Sequence, residues 1–203
     1  MAITVDPDAQ DVGVGRALME DVLARYRAQD RPGIRLVQAA YHTRSLALYA
    51  SLGFDVREPL LTMQGPRIEE RVAGHEVRAG TEADVDSCNS LCTHVHGHDR
   101  GGDVADAVAR GTLRVVEHDG RVVGYATGIA FFAHAVGETN DALKALIADA
   151  PEFGGPGFLL PARNTELARW CLGNGLRIVQ LMTLMSVGLY NEPAGAFLPS
   201  ILY

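Results

Sequence analysis

The sequence lacks a long apolar run and has few cysteines. None of its hydrophobic stretches reaches the roughly 18 residues that span a bilayer, and its start, MAITVDPDAQ, has neither the basic residues nor the apolar block of a signal peptide. We therefore expect a cytoplasmic protein with no membrane partner. Its 3 cysteines are an odd number in a chain without an export signal, so structural disulfides are not expected.

Positive charge is also scarce. The 203 residues include 18 Lys and Arg against 25 Asp and Glu, a formal net charge of −7, whereas proteins that bind nucleic acid need a basic face. No nucleic-acid partner is expected. The acidity is uneven, because residues 1–74 carry 9 basic and 10 acidic residues while residues 75–203 carry 9 and 15. A ligand that carries phosphate should prefer the first part.

Hydrophobic residues make up 47% of the chain, and their spacing predicts mixed α and β structure. The first part contains two predicted helices, from GVGRALME and TRSLALYAS, and two predicted strands, IRLVQAAY and FDVREPLLTMQG, the second interrupted by Pro59. The polar stretch PRIEERVAGHE has no apolar period. We place the domain boundary there, between residues 1–72 and residues 75–203.

The second part has stronger local signals. Thr81 and Asp84 stand at the two positions of a capping box, and Asp119-Gly120 between alternating apolar residues is typical of a type I′ hairpin turn. A helix, a strand, a helix and a strand follow in the stretches NDALKALIADA, GFLLPA, NTELARWCLGNG and RIVQLMTLMSV, and the end of the chain predicts a loop and a last strand.

Two close glycines, Gly13 and Gly15, stand where the first helix begins. Glycine lets a backbone approach a ligand closely, and the amides of a helix N-terminus favour a phosphate. A tight turn that binds nothing is an equally good interpretation of two glycines alone. Leu18 replaces the third glycine of the dinucleotide fingerprint, and no Gly-Lys-Ser/Thr follows, so neither of these two phosphate loops is present.

The stretch VDPDAQDVGVGRALM resembles the pyrophosphate loop of the GNAT family of acyl-CoA-dependent N-acetyltransferases, where Gln/Arg-x-x-Gly-x-Gly/Ala follows a strand. The matching residues are Gln10, Gly13 and Gly15. A second family segment, Leu-Tyr-x-x-x-Gly-Phe at the end of a helix, is matched by LYASLGF at residues 48–54. The two segments occur in the family's order and at a similar separation. The resemblance covers residues 3–64 and implies the α/β GNAT fold with a mixed sheet.

The resemblance also implies a cosubstrate, acetyl-CoA, and a set of residues that bind it. The implied cofactor-binding residues are Gln10, Val12, Gly13, Val14, Gly15, Arg16, Ala17, His42 and Ser45. In this set, backbone amides wrap the pyrophosphate and Arg16 adds a positive charge. His42 replaces an Asn that the family often has at the head of the second helix, which puts its contact with the pantetheine arm in question.

Tyr49 is the implied catalytic residue, a general acid that protonates the departing thiolate. A phenol with a pKa of about 10 can share its proton with a thiolate whose conjugate acid has a pKa near ~8.5. The alternative is that Tyr49 only packs its ring in the core.

A shift of 122 positions places Gly15 on Gly137 and Gly53 on Gly175, although residues 10–54 and 132–176 share only 7 identical residues. We interpret this pattern as a second GNAT-like unit in tandem. Its functional positions have changed, since Phe132, Ala135, Glu138 and Cys171 replace Gln10, Gly13, Arg16 and Tyr49. We therefore expect the second unit not to bind CoA.

The first unit is expected to be the C-terminal half of a GNAT domain, because the family builds several elements before the loop and only AITV stands there. Either the sequence is truncated, or another chain supplies the missing strands. An open sheet edge would then favour a homo-oligomer.

CTHVHGHDR places His94, His96 and His98 at alternating positions beside Cys92, but no second group of ligands suggests a metal site. We expect this stretch to line the acceptor cleft. The leading hypothesis is an N-acetyltransferase in which a primary amine of a small molecule or peptide attacks acetyl-CoA directly. The alternative is a non-catalytic acyl-CoA-binding or interaction module, or an inactive truncated remnant.

Overall fold

The computed structural model of the chain describes residues 5–9 and 12–202. Its α-helices are Val14–Ala28 (α1), Thr43–Ser51 (α2), Val85–His96 (α3), Gly101–Ala109 (α4), Asn140–Asp149 (α5) and Thr165–Gly173 (α6). Its strands are Gly33–Ala39 (β1), Asp55–Gln64 (β2), Glu76–Ala79 (β3), Arg114–His118 (β4), Arg121–Ala126 (β5), Ala135–Gly137 (β6), Phe158–Pro161 (β7), Arg177–Gly188 (β8) and Ala196–Leu198 (β9). The predicted mixture of helices and strands is confirmed.

The strands form two sheets. One has four strands in the order β1-β8-β2-β7, and the other has five in the order β3-β4-β5-β6-β9. Every ladder among the described residues is antiparallel, so the mixed sheet that the resemblance implied is not found there. Among the same residues, parallel pairing is limited to an isolated bridge between Ala130 and Gly154. No helix in the described part of the chain is long and apolar enough to cross a membrane.

Both parts of the chain contribute strands to the four-stranded sheet. β1 and β2 each pair with β8, and β2 also pairs with β7, whereas β1 and β2 are not neighbours. The first part therefore has no sheet of its own within the described residues. The boundary that we predicted falls in residues 65–75, which contain neither helix nor strand, and the division into two units stays a prediction.

The shift of 122 positions relates elements of this sheet and its helices. It carries α2, residues 43–51, onto α6, residues 165–173, and the first residue of β2 onto the first residue of β8. It also carries β1 onto residues 155–161, which include β7. Replacing each strand by its image turns the order β1-β8-β2-β7 into β7-β2-β8-β1, which is the same order taken from the other edge of the sheet. The sheet therefore has an internal pseudo-symmetry.

Pro59 does not interrupt β2, contrary to the sequence interpretation. The strand runs through it, with Pro59 opposite Thr183 of β8, and its carbonyl accepts a hydrogen bond from Ala162 N at 2.8 Å. A register shift between Val56 and Glu58 precedes it. Proline lacks an N–H and is tolerated in strands beside such irregularities, which is why the sheet continues.

One face of β1 is covered by the first two helices. Met19 and Leu23 of α1 pack with Phe54 and Met185 in a buried apolar cluster. Partly buried neighbours complete it: Ile34, Leu36, Leu46, Tyr49, Leu52 and Val187. The alternate residues of β1, Val37 and Ala39, contact a different cluster on the opposite face. Successive side chains of β1 therefore point to opposite sides of the sheet. One side is covered by α1 and α2, and the other packs against the rest of the protein.

The local signals of the second part are confirmed. Thr81 and Asp84 form the reciprocal capping box, and Asp119 and Gly120 have positive φ values of 51° and 71°, as a type I′ turn requires. Asp84 is also bound by Arg78, whose Nη2 lies 2.7 Å from Oδ1 and whose Nη1 lies 2.9 Å from Oδ2. The Arg78 guanidinium holds the pKa of the buried Asp84 carboxyl well below its usual range.

The ion pair between Arg78 and Asp84 should make the stability of the fold depend on pH. Because the pKa of Asp84 is lower in the folded chain than in the unfolded one, the pair stabilises the fold above pH ~4 and this contribution is lost as the pH falls. Asp84→Asn should lower the free energy of unfolding at pH 7 by about 2 kcal/mol and by less at pH 3. Denaturant unfolding measures both, with the exposed Asp86→Asn as control. An equal loss at both pH values would contradict the role of the ion pair.

Candidate functional site

The N-terminus of α1 is open. Gly13 is its N-cap residue, with a φ of 89° in the left-handed region that glycine adopts easily, and among the described residues no side chain caps the first turn. Val12 and Val14 are exposed, with 75% and 38% of their surface accessible, and the first turn contains no acidic residue. The first amides of a helix have no acceptor within it, so they are available to a ligand.

The start of α1 lies against α2. A Cβ placed on Gly15 would lie 3.7 Å from a methyl carbon of Leu48, and Arg16 Nη2 donates a hydrogen bond to Ser51 Oγ at 2.9 Å. Arg16 also lies 3.8 Å from the Glu20 carboxylate in an exposed ion pair. The structure therefore brings residues 12–17 together with the second half of α2. Gln10 lies outside the described residues.

The N-terminus of α2 likewise has no side-chain cap in the described part of the chain. His42 is its N-cap residue, but its side chain makes no capping bond and its ring lies beside that of Tyr41, with 4.2 Å between centroids. Ser45 is half-buried in the first turn. A helix of nine residues is about 13 Å long, so only an extended ligand could reach both the start of α1 and the start of α2.

Tyr49 lies in the buried cluster beneath α2. Its ring packs at 6.1 Å from that of Phe54, with a tilt of 59°, and the residue is half-buried. Burial raises the pKa of Tyr49, so the phenol stays protonated at neutral pH. The residue thus contributes to packing and also keeps the proton that a general acid needs.

The corresponding positions in the second part have a different structure. Ala135, the image of Gly13, lies in β6 and not at a helix N-terminus. The helix α5 begins five residues later, at Asn140. Thr139 Oγ1 caps α5 by accepting from Ala142 N at 3.3 Å, and Asn164 caps α6. Glu138 is paired with Arg121, so its charge is balanced within the protein. The image helices therefore have N-termini satisfied by side chains, whereas α1 and α2 do not.

The other residues considered as metal ligands or as a nucleophile are either buried or far from one another. His96 lies in the core at 4.8 Å from the Phe197 ring, where burial lowers its pKa to about 3, while His94 is exposed on α3. No three potential metal ligands come together in the described part of the chain. Burial raises the pKa of the Cys171 thiol to about 12, which keeps it protonated and unreactive.

The sequence interpretation missed Gln38, a buried side chain in β1. It is 6% exposed, and neither of its amide atoms has a hydrogen-bond partner among the described residues. The sequence does point to Gln38, because it is a polar residue within the apolar stretch IRLVQAAY, which is predicted to form a buried strand.

The chain is similar to known proteins both in sequence and in fold. Residues 1–54 match the sequence model of the acetyltransferase (GNAT) family. A candidate acetyltransferase from Pyrococcus horikoshii has a TM-score of 0.74 at 16% identity, over 95% of this chain and 66% of its own. A GCN5-related N-acetyltransferase from Sphaerobacter thermophilus has a TM-score of 0.56 at 13% identity, over 95% of this chain and 74% of its own.

A GCN5-related N-acetyltransferase from Anabaena variabilis has a TM-score of 0.56 at 15% identity, over 91% of this chain and 53% of its own length. The chain thus spans between about half and three quarters of these three proteins. No curated protein is significantly similar in sequence. The likeness to the solved structures confirms the fold that the resemblance implied. Residues 1–54 thus match the acetyltransferase (GNAT) family in sequence, and the chain has the fold of the acetyltransferases named above.

Proposed function

We propose that the chain binds acetyl-CoA through residues 12–17 and transfers its acetyl group to a primary amine of a small molecule or peptide. The observation that carries this proposal is the contrast between the two copies. The N-termini of α1 and α2 have no side-chain cap among the described residues, whereas Thr139 and Asn164 cap their images. The open amides offer a diphosphate hydrogen bonds and the positive end of the helix dipole. Arg16 is exposed and paired with Glu20, and it would exchange that carboxylate for the diphosphate.

The charge distribution supports the same assignment. The first turn of α1 has no carboxylate, and the first 74 residues are nearly neutral, whereas the rest of the chain carries most of the negative charge. An anionic ligand therefore meets less repulsion at α1 than at the second copy. The exposed Val12 and Val14 give the ligand an apolar surface beside these amides.

In the proposed reaction, the amine nitrogen attacks the thioester carbonyl carbon, a C–N bond forms and the C–S bond breaks. Tyr49 donates its phenolic proton to the departing sulfur. The nitrogen, positively charged after its attack, releases one proton to solvent, and the Tyr49 phenolate takes one proton back from solvent. The raised pKa of Tyr49 keeps the phenolic proton in place until the sulfur becomes basic. Its ring contact with Phe54 holds the phenol in a fixed position.

Calorimetric titration of the chain with acetyl-CoA tests the proposal, followed by an assay of thiol release with a panel of primary amines. We expect saturable binding and turnover with at least one amine. Absence of binding would contradict the assignment of residues 12–17. Binding without turnover for any amine would instead favour a non-catalytic acyl-CoA-binding module.

A further inference from the structure

Gln38 is a buried polar residue that the proposed reaction does not use. It is the last residue but one of β1, and neither Oε1 nor Nε2 has a hydrogen-bond partner among the described residues. Ile34 and Leu36, at alternate positions of the same strand, pack in the cluster beneath α1 and α2. Gln38 therefore lies on the face of the sheet that carries the proposed acyl-CoA site.

The same position in the second copy is apolar. The shift of 122 places Gln38 on Leu160 and places its cross-strand neighbour Thr183 on Leu61, and Leu160 and Leu61 are themselves opposite each other in β7 and β2. Leu160 is fully buried in the main core. The fold thus accommodates a leucine pair at this point, while an unpaired buried carboxamide costs free energy. The costly polar pair occurs in the copy with open helix N-termini.

We propose that Gln38 binds the pantetheine arm of the acyl-CoA, an inference that rests on the function proposed above. A carboxamide has a carbonyl acceptor and an NH₂ donor, which together complement the secondary amides of pantetheine. Gln38 Nε2 donates to an amide carbonyl of the arm, and Oε1 accepts from its N–H. Neither bond requires the protein to give up one that the described residues make, because neither atom has a partner among them.

The position of Gln38 fits the direction of such a ligand. The diphosphate binds at the start of α1, and the arm runs from there towards the end of β1, where the Ala39 carbonyl accepts from His42 N at 2.9 Å as the chain turns into α2. Both polar atoms of Gln38 are shielded from solvent in the free protein. We expect the carboxamide to turn towards the arm on binding, which its broad terminal torsion allows.

The test exchanges Gln38 for the residue of the second copy, in Gln38→Leu, and measures calorimetric affinities for two ligands. Free coenzyme A contains the pantetheine arm, whereas 3′-phospho-ADP contains the diphosphate without it. We expect about tenfold weaker binding of coenzyme A, unchanged binding of 3′-phospho-ADP and a higher melting temperature of the free protein, since an unpaired buried group is removed.

Thr62→Val is the matched control. Thr62 is also buried, and its hydroxyl has no hydrogen-bond partner in the part of the chain that the structure describes. It lies opposite Leu159, on the other face of the sheet. This variant should bind both ligands as the wild type does. Gln38→Met, which keeps the length of the side chain, replaces Gln38→Leu if the latter does not fold.

Three results would overturn the inference. Unchanged affinity of the Gln38 variant for both ligands would make Gln38 a purely structural residue. Equal weakening for both ligands would mean that the substitution distorts the site as a whole. Failure of the wild type to bind either ligand would contradict the proposed function itself and the role of Gln38 with it.

Discussion

Gly15→Asp is expected to weaken acetyl-CoA binding by at least 100-fold while leaving the protein folded. Gly15 is the second residue of α1. Among the described residues, a Cβ there would meet methyl groups of Leu48 and Val5, both at 3.7 Å, which is ordinary contact. A carboxylate at this position would interact favourably with the helix dipole by about 0.3–1 kcal/mol. The same carboxylate would face the diphosphate, and two like charges ~4 Å apart near a surface repel by about 4 kcal/mol.

Two controls separate charge from bulk. Gly15→Asn has the same size without the charge and should retain most of the affinity. Gly102→Asp places the same carboxylate at the second residue of α4, where a Cβ meets nothing within 4 Å, and should have no effect on binding. Gly137, the image of Gly15, is unsuitable because a Cβ there would lie 3.1 Å from the Thr139 carbonyl oxygen.

Calorimetric titration with acetyl-CoA measures these affinities, and thermal unfolding of each variant measures stability. A Gly15→Asp protein that is folded and binds as tightly as the wild type would show that no diphosphate lies at the start of α1. A similar loss in Gly102→Asp would show that the effect comes from the net charge of the chain.

The sequence predicts correspondence between the two parts of the chain where the structure depends on neighbouring residues. Helix ends depend on nearby residues, so the match of Gly53 with Gly175 places α2 on α6 with the same bounds. The match of Gly15 with Gly137 does not predict a common secondary structure, because Gly15 lies in α1 and Gly137 lies in β6. The left-handed conformation of Gly13 costs alanine more conformational energy than glycine, which disfavours it at Ala135. The chain instead forms β6 as far as Gly137, and Thr139 then caps α5.

The pairing of β2 with β7 and β8 could not be predicted from the sequence. The apolar pattern of a strand shows which residues are buried but not which strand lies beside it, because partners such as Asp55 and Ser186 are far apart along the chain. The sequence also could not predict that the N-termini of α1 and α2 have no side-chain cap among the described residues. Whether His42 caps its helix depends on the geometry of one side chain, which the residue type alone does not determine.

Tyr49→Phe is expected to lower the turnover number by about 100-fold with little change in the affinity for acetyl-CoA. The lost hydroxyl is the proposed proton donor to the leaving thiolate, and a positioned acid or base contributes roughly 100-fold or more to rates. The ring contact with Phe54 and the place of residue 49 in the cluster beneath α2 are kept, so the fold should not change. Turnover is measured as thiol release with an amine that the wild type acetylates, and affinity by calorimetry.

The matched control for this variant is Tyr26→Phe, which removes the hydroxyl of another partly buried tyrosine, in the last turns of α1. Its turnover should equal that of the wild type. Because burial raises the pKa of Tyr49, the wild type should not lose activity through ionisation of this phenol below pH ~10. Unchanged turnover in Tyr49→Phe would limit Tyr49 to packing in the core. A loss of affinity that alone accounts for the lower rate would place the hydroxyl in binding and would contradict its role as the acid.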